Sequence, residues 1–374
     1  MYASDRIALN HLDRMTDSTG LIQHAIYSIP RRESGYTTDD NARALRLCTR
    51  LWEQQPGDRM LGRVTTYLSF LEHARCLVRG FHNFLSYQRD WLDTEGTGDS
   101  QGQAVRALAE VLGGSLPEGY RALARELIDA VTPALADLRS LRAQAYVILA
   151  WGHLSTSGVT DLEPVEDVAW SAAQRLVECY HRSQRPDWPW FESRMTYANA
   201  VLPHALFVAA RCWPEEDFLD VARESFDFLD RETTIDNVFW PVGNSDWYPR
   251  GEEKSPYDQQ PVEAVTMADA ALAGFALLGE MGDAGAEKHL AALRRAHAWF
   301  HGRNSLRHSL VDVHCGACYD GLQRSGVNRN QGAESTLAYL WAELINKDNS
   351  ICVENQEPLI NTQSCSIVTA TTPS

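Results

Sequence analysis

The chain is poor in positive charge. Asp and Glu outnumber Lys and Arg by 50 to 34, for a net charge of -16, so no cationic face is expected to neutralise phosphates and nucleic acid is set aside as a partner. No apolar run approaches membrane-spanning length, which sets the membrane aside as well. The opening stretch MYASDRIALNHLDRM lacks the basic, apolar and small-residue blocks of a secretory signal, so a soluble, cytoplasmic protein is the expectation. There is no cysteine framework. Of 8 cysteines, Cys48, Cys76, Cys179 and Cys212 fall within helical patterns and read as buried thiols. Cys352 and Cys365 lie in a tail of different composition. Cys315 and Cys318, in HCGAC, have metal-like spacing, but a zinc site needs about four ligands and no comparable second pair follows. No metal and no cofactor are expected.

β-strand alternation is also scarce, and what fills the sequence instead is a repeated unit: a polar, aromatic loop that empties into an Ala-rich helix. Helices beginning near Asp40, Gly102, Leu138, Asn199, Val262 and Ala333 are apolar nearly all round, whereas the helices between them carry a charged face. A helix without a polar face is buried on all sides. The first set should therefore form an inner ring and the second an outer one. Inner-to-outer connections are short and outer-to-inner connections mostly long, which gathers the long loops on one rim. The expected fold is all-α, an (α/α)6 toroid in one domain over residues 1–345, with residues 3 to 15 as the remaining outer helix. Residues 346–374, rich in Asn, Ser and Thr, have no helical period and read as an extended or flexible tail.

The longest rim loop, Asp236 to Ala264, contains too much Pro, Gly and Asn for a helix and too much Trp for a solvated linker. Trp240, Trp247 and Tyr248 offer flat faces suited to a pyranose, and Asn244, Asp246, Arg250, Asp258, Gln259 and Gln260 offer hydrogen-bonding groups suited to hydroxyls. Pro261 suits the first helical position and Glu263 the first turn. The other rim loops add Tyr36, Asp39, His82, Trp190, Arg329, Asn330, Gln331 and Glu334 as candidate substrate-binding residues.

Four motifs, GYTTDDNARAL, FHNFLSYQRDWLDTEGTGDSQGQAVRAL, WYPRGEEKSPYDQQPVEA and CYDGLQRSGVNRNQGAESTLAYL, together resemble a bacterial family in the six-hairpin glycosidase superfamily, whose members occur alone or beside glycosyltransferase modules. The resemblance spans roughly Asp13 to Ile345. It implies the toroid, an oligosaccharide or other sugar substrate and a glycosyltransferase as an additional partner.

Glycoside hydrolysis needs two carboxylates flanking the bond, one protonated and one ionised. Asp39, Asp40 and Asp99 fall at helix starts, where the macrodipole favours the ionised form and suits a base. Asp39 and Asp99 also have the simpler reading of helix caps. Glu192, among Trp190, Phe191 and Tyr197, and Asp246, beside Trp247, fall in aromatic surroundings that raise a carboxyl pKa and suit the acid. In a toroid, Asp40 would oppose Glu192 across the pore and Asp99 would oppose Asp246 or Asp258. The expected activity is a glycosidase with Asp40, Glu192, Asp99 and Asp246 as catalytic candidates. The rivals are a sugar epimerase or isomerase relying on His82 and His204, a phosphorylase using Arg250 or Arg329, and a non-catalytic glycan-binding partner of a glycosyltransferase.

Overall fold

The computed structural model describes residues 7–76, 79–214 and 216–348. Twelve helices follow one another: α1 (Asn10–Met15), α2 (Thr38–Gln54), α3 (Asp58–Ala74), α4 (Gly98–Gly113), α5 (Glu118–Leu135), α6 (Leu141–Thr156), α7 (Glu163–Ser183), α8 (Val201–Cys212), α9 (Phe218–Glu232), α10 (Pro261–Glu280), α11 (Ala286–Phe300) and α12 (Ala333–Asp348). The even-numbered helices touch in cyclic order, α2 to α4, α6, α8, α10, α12 and back to α2, so they close a ring. Each odd-numbered helix lies against an even-numbered one on the outside, with α1 against α12. The expected all-α (α/α)6 toroid is what forms.

The two rings differ because their sequences differ. α10 has 13 residues buried, including Glu263 and Asp269, since helices and loops surround it. It is also apolar and long enough to span a membrane by composition alone, contrary to the reading of the bare sequence. Here it is an inner wall, packed by α8, α11 and α12. The outer helices put their charges into bridges along the circumference: Arg223–Asp283, Lys288–Asp227 and Arg295–Asp230 tie α9 to α11 and its preceding turn. Arg59 and Arg63 bracket Asp13 and hold the short α1 against α3. Inner helices approach closely: a Cβ at Gly102 would meet the Ala143 carbonyl at 2.8 Å.

The long connections lie on one rim and are stitched to one another rather than draped separately. Tyr36–Thr37, before α2, pairs with Phe84–Leu85, before α4. Gly35 permits this pairing, since its φ is 63° and a Cβ there would strike the Leu85 carbonyl. Arg194–Met195 pairs with Tyr248–Pro249, Gln259 bridges Leu322, and Gln331 and Asn330 bond the backbone of Tyr27. Segments far apart in sequence therefore converge on one mouth. α12 runs to Asp348, three residues beyond Ile345; the rest of the expected tail lies outside the described residues.

Candidate active site

Three inner helices start in the same way. Thr37, Thr97 and Ser140 each place a hydroxyl that accepts from the backbone N–H three residues on, satisfying a free donor of the first turn. Asn41, Gln101 and Gln144, four residues after each cap, return a side-chain amide to the preceding loop: Asn41 to Thr37 and Leu21, Gln101 to Phe81, Gln144 to Leu138. Between cap and amide the second helical residue is released from both duties. Those residues are Asp39, Asp99 and Arg142, and the second residue of α12 is Glu334.

Below this layer each inner helix continues the same stripe at intervals of three and four residues, the neighbours on one helix face. The stripe runs Asp39, Arg43, Arg46 on α2; Asp99, Gln103, Arg106 on α4; Arg142, Tyr146 on α6; Val262, Thr266, Asp269 on α10; and Glu334, Ala338, Trp341 on α12. From Arg43 and Gln103 downward these residues, with Val262 and Glu334 above, line a cavity inside the ring. The cavity encloses about 50 Å³, room for a few waters at ~10–15 Å³ each but not for a sugar ring.

The floor is a closed network of charges. Arg46 stacks on the Trp341 ring at 3.5 Å and bonds Glu110, and both Arg46 and Arg106 approach Asp269, at 3.5 and 3.7 Å. The Trp341 indole N–H donates to Asp269 at 2.7 Å. Burial opposes the Asp269 charge, yet the two arginines hold its carboxyl below the usual range. Burial pushes Arg106 down to about 10 and His204, nearby on α8, down to about 3, so that the imidazole is neutral. These groups neutralise one another and leave little for a ligand.

The mouth is different. Arg43 joins Glu334 at 2.6 Å, Asp39 at 3.2 Å and Asp40 at 3.8 Å. Burial, reinforced by the charges of Glu334 and Asp99 and opposed by Arg43, pushes the Asp39 carboxyl up to about 6. One Asp39 oxygen, Oδ1, has no hydrogen-bond partner. Asp99 is held by two hydroxyls, accepting from Ser140 Oγ at 2.8 Å and from the Tyr197 hydroxyl at 2.6 Å. The Tyr197 ring lies against the Arg142 guanidinium, 4.7 Å from its centroid, and the residue is 39% exposed.

Several expected roles change. Asp40 is not an ionised base at the mouth. It is buried, accepts from Thr37 Oγ1 at 2.8 Å, and burial pushes it up to about 7 against the effect of the helix start. Neither Asp39 nor Asp99 caps its helix, because the threonine two residues earlier does so. Glu192 does not face an apolar pocket: Arg142 Nη1 donates to it at 3.0 Å, and Trp190 and Phe191 beside it are buried. Trp190, expected as a sugar platform, is fully buried against Phe191 and Phe228. Tyr36 is likewise core, its hydroxyl donating to Asp17 at 2.7 Å. His82 stacks on Trp91 at 4.9 Å and bonds the Asp93 carbonyl, a structural placement.

The organising loop is held mostly by its own side chains. Gln259 is fully buried, donating to the Pro256 carbonyl and accepting from Trp299 Nε1. Glu263 is buried and accepts from the backbone N–H of Ala198 and from Asn199, which pins the loop before α8; burial pushes it up to about 7. Arg250 donates to the Ser183 carbonyl, and Lys254 to the carbonyls of Glu232 and Trp240. Asp258 has a left-handed backbone, Gln260 occupies the N-cap position of α10 without a side-chain capping bond, and Asp246 is exposed in a turn. Trp240 and Trp247 are half-buried. Gln331 is buried, its carbonyl accepting from His11, and Asn330 accepts from the Tyr27 N–H, so both fasten the last loop to the first; Arg329 is exposed.

The structure thus gathers Asp39, Asp99 and Glu334 and adds Tyr197, Ser140 and Arg142 around them. The sequence reading missed Arg46, Gln103, Arg106, Tyr146, Asp269 and Trp341. Their signal was the isolated polar residue at three- and four-residue spacing on helices otherwise apolar.

No family model matches the sequence, and no curated protein does. Solved structures do match. A sugar epimerase from a ruminal bacterium is 13% identical, with 90% of this chain and 94% of that one covered at a TM-score of 0.66. The cellobiose 2-epimerase from Bacillus thermoamylovorans is 12% identical, with 91% and 96% covered at 0.67. The GH76 alpha-mannanase from Bacteroides thetaiotaomicron is 9% identical, with 90% and 92% covered at 0.63. At these identities the likeness is one of architecture: the chain shares the (α/α)6 toroid fold of these structures.

Proposed function

We propose that the chain is a carbohydrate-active enzyme, a glycoside hydrolase whose chemistry takes place at the mouth of the ring. The observation that supports this most is a difference between two neighbouring carboxyls. Asp39 is raised to about 6 and has an unengaged oxygen, so near neutrality it still holds a proton for part of the time. Asp99 is fixed in place by hydrogen bonds donated from Ser140 and Tyr197. A carboxyl that stays partly protonated beside a second one fixed by hydrogen bonds can serve as the acid of such a pair.

In this reading Asp39 donates its proton to the departing glycosidic oxygen. Asp99 either takes a proton from the attacking water, with inversion, or attacks the anomeric carbon, with retention. Arg43 and Glu334 set the charge around Asp39, and the Tyr197 face carries a sugar ring. Incubation with an oligosaccharide panel should release reducing sugar, and Asp39→Asn should stop it. Binding of a glycan by the wild type without release would instead identify a binding module.

A sugar epimerase or isomerase is the second reading, favoured by the epimerases among the structural matches and by the neutral His204 below the cavity. None of the residues lining the cavity is a histidine, however, and His82 lies against Trp91. Exchange of a sugar C–H with solvent deuterium without bond cleavage would select this reading over hydrolysis.

A further inference from the structure

Away from the mouth, where the end of α11 meets α12, three donor atoms converge. His297 and His301 are four residues apart, one helical turn, and both Nε2 atoms approach the same oxygen, Oε1 of Glu343, at 3.0 and 2.8 Å. All three donors lie within 4.8 Å of one another. We propose that His297, His301 and Glu343 form a binding site for a divalent transition-metal ion, zinc in the first instance.

The donor set and its spacing support this. Imidazole nitrogen and carboxylate oxygen are ligands of zinc at ~2.0–2.2 Å, and tetrahedral donors at that distance stand about 3.3–3.5 Å from one another. Two of the separations are shorter than that, at 3.0 and 2.8 Å, and all three lie within 4.8 Å, so side-chain rotations have to part Glu343 from the two imidazoles to admit an ion. His297 lies in the last turn of α11 and His301 is the residue just past its end, and their ring centroids are 4.8 Å apart, which brings two ligands together before the ion arrives. Glu343 comes from the adjoining inner helix.

Access is also provided. The His297 and Glu343 side chains are 8% and 15% exposed, whereas His301 is 36% exposed and offers an entry path. Three protein ligands leave a fourth position for water. The consequence is mechanical: the ion would bolt the last outer helix to the last inner one, close to where α12 completes the ring against α2. The sequence reading expected no metal, because it looked for paired cysteines and the third ligand here lies 42 residues beyond His301.

The test is a titration of the full-length protein, cysteines alkylated, with zinc chloride and with magnesium chloride. One equivalent of zinc should bind and raise the melting temperature, while magnesium, which prefers oxygen ligands, should do neither. His301→Ala and Glu343→Gln should each weaken zinc binding by at least ~10-fold, with each metal-free variant first shown by its melting curve to be folded. Cobalt substitution should give weak visible bands of a nitrogen and oxygen environment. No zinc binding, or zinc binding unchanged in both variants, would overturn the proposal. It stands apart from the reading of the mouth, whose residues it does not share.

Discussion

Two parts of the rim look alike in composition and differ in what they do. The loops before α8 and α10 carry Trp188, Trp190, Trp240, Trp247 and Tyr248, the aromatic wealth of the molecule. Yet Trp188 and Trp190 are buried among Phe191, Phe228 and Tyr248, and the polar side chains around them are spent on holding loops. The first turns of α2, α4 and α12 carry few aromatics, but there Asp39, Asp99 and Glu334 stand free of capping duty around one arginine. A large aromatic in a long loop has a great deal of apolar surface to hide and finds a core when one is near.

That contrast can be broken most sharply by exchanging losses. Asp39→Asn should lower kcat/KM by ~10²–10⁴-fold and leave the melting temperature within a few degrees of wild type. Trp190→Ala should do the reverse, destabilising by about 3–5 kcal/mol with activity per folded molecule retained, as read by denaturant unfolding and by assay below the transition. If Trp190→Ala abolished turnover in a fully folded protein, the aromatic side would have to be counted as part of the site.

A smaller effect is expected in the pH profile. Asp39 must be protonated to act, and its carboxyl is raised to about 6, so kcat/KM should fall roughly tenfold per pH unit well above that value. Asp39→Glu should move that limb, whereas Asp246→Asn should not.

Glu263 sharpens the structural half of the comparison. Its carboxyl goes from 4.5 to about 7 on folding, so the unfolded chain ionises first. The stability it allows is complete below pH 4.5 and is lost as pH rises towards about 7. Glu263→Gln should flatten that part of the stability curve measured by urea unfolding. A curve unchanged by the substitution would show that the buried carboxyl is not a cost to the fold.

The smallest effect belongs to Trp247→Ala. Trp247 is half-buried, and its indole N–H only reaches Asn244 in its own loop. Stability should change by no more than about 0.5 kcal/mol, with KM unmoved in steady-state assays. A large rise in KM would restore the loop as a sugar wall.

The ring was legible in the sequence because burial on all sides leaves a compositional trace over whole helices, as in α8 and α10, and because loop lengths alternate. Convergence of the rim loops followed from that alternation. The site was legible only in part. Asp39 and Asp99 were visible as first-turn acids, but capping hid their availability: Thr37 and Thr97 do that work, and only the backbone shows which residue does. Asp40 was assigned by its helix start, although burial decides its protonation. The layer of Arg46, Arg106 and Asp269 was written in the sequence as lone charges one stripe apart, and it went unread because it was averaged into nearly uncharged helices.

The most direct measurement is the position of a bound sugar. A crystal soaked with a monosaccharide or a short oligosaccharide should show a ring at the mouth, within hydrogen-bonding distance of Asp39 and Asp99 and against the Tyr197 ring. A sugar seated on Trp240 and Trp247, with the first turns of α2 and α4 untouched, would contradict the account.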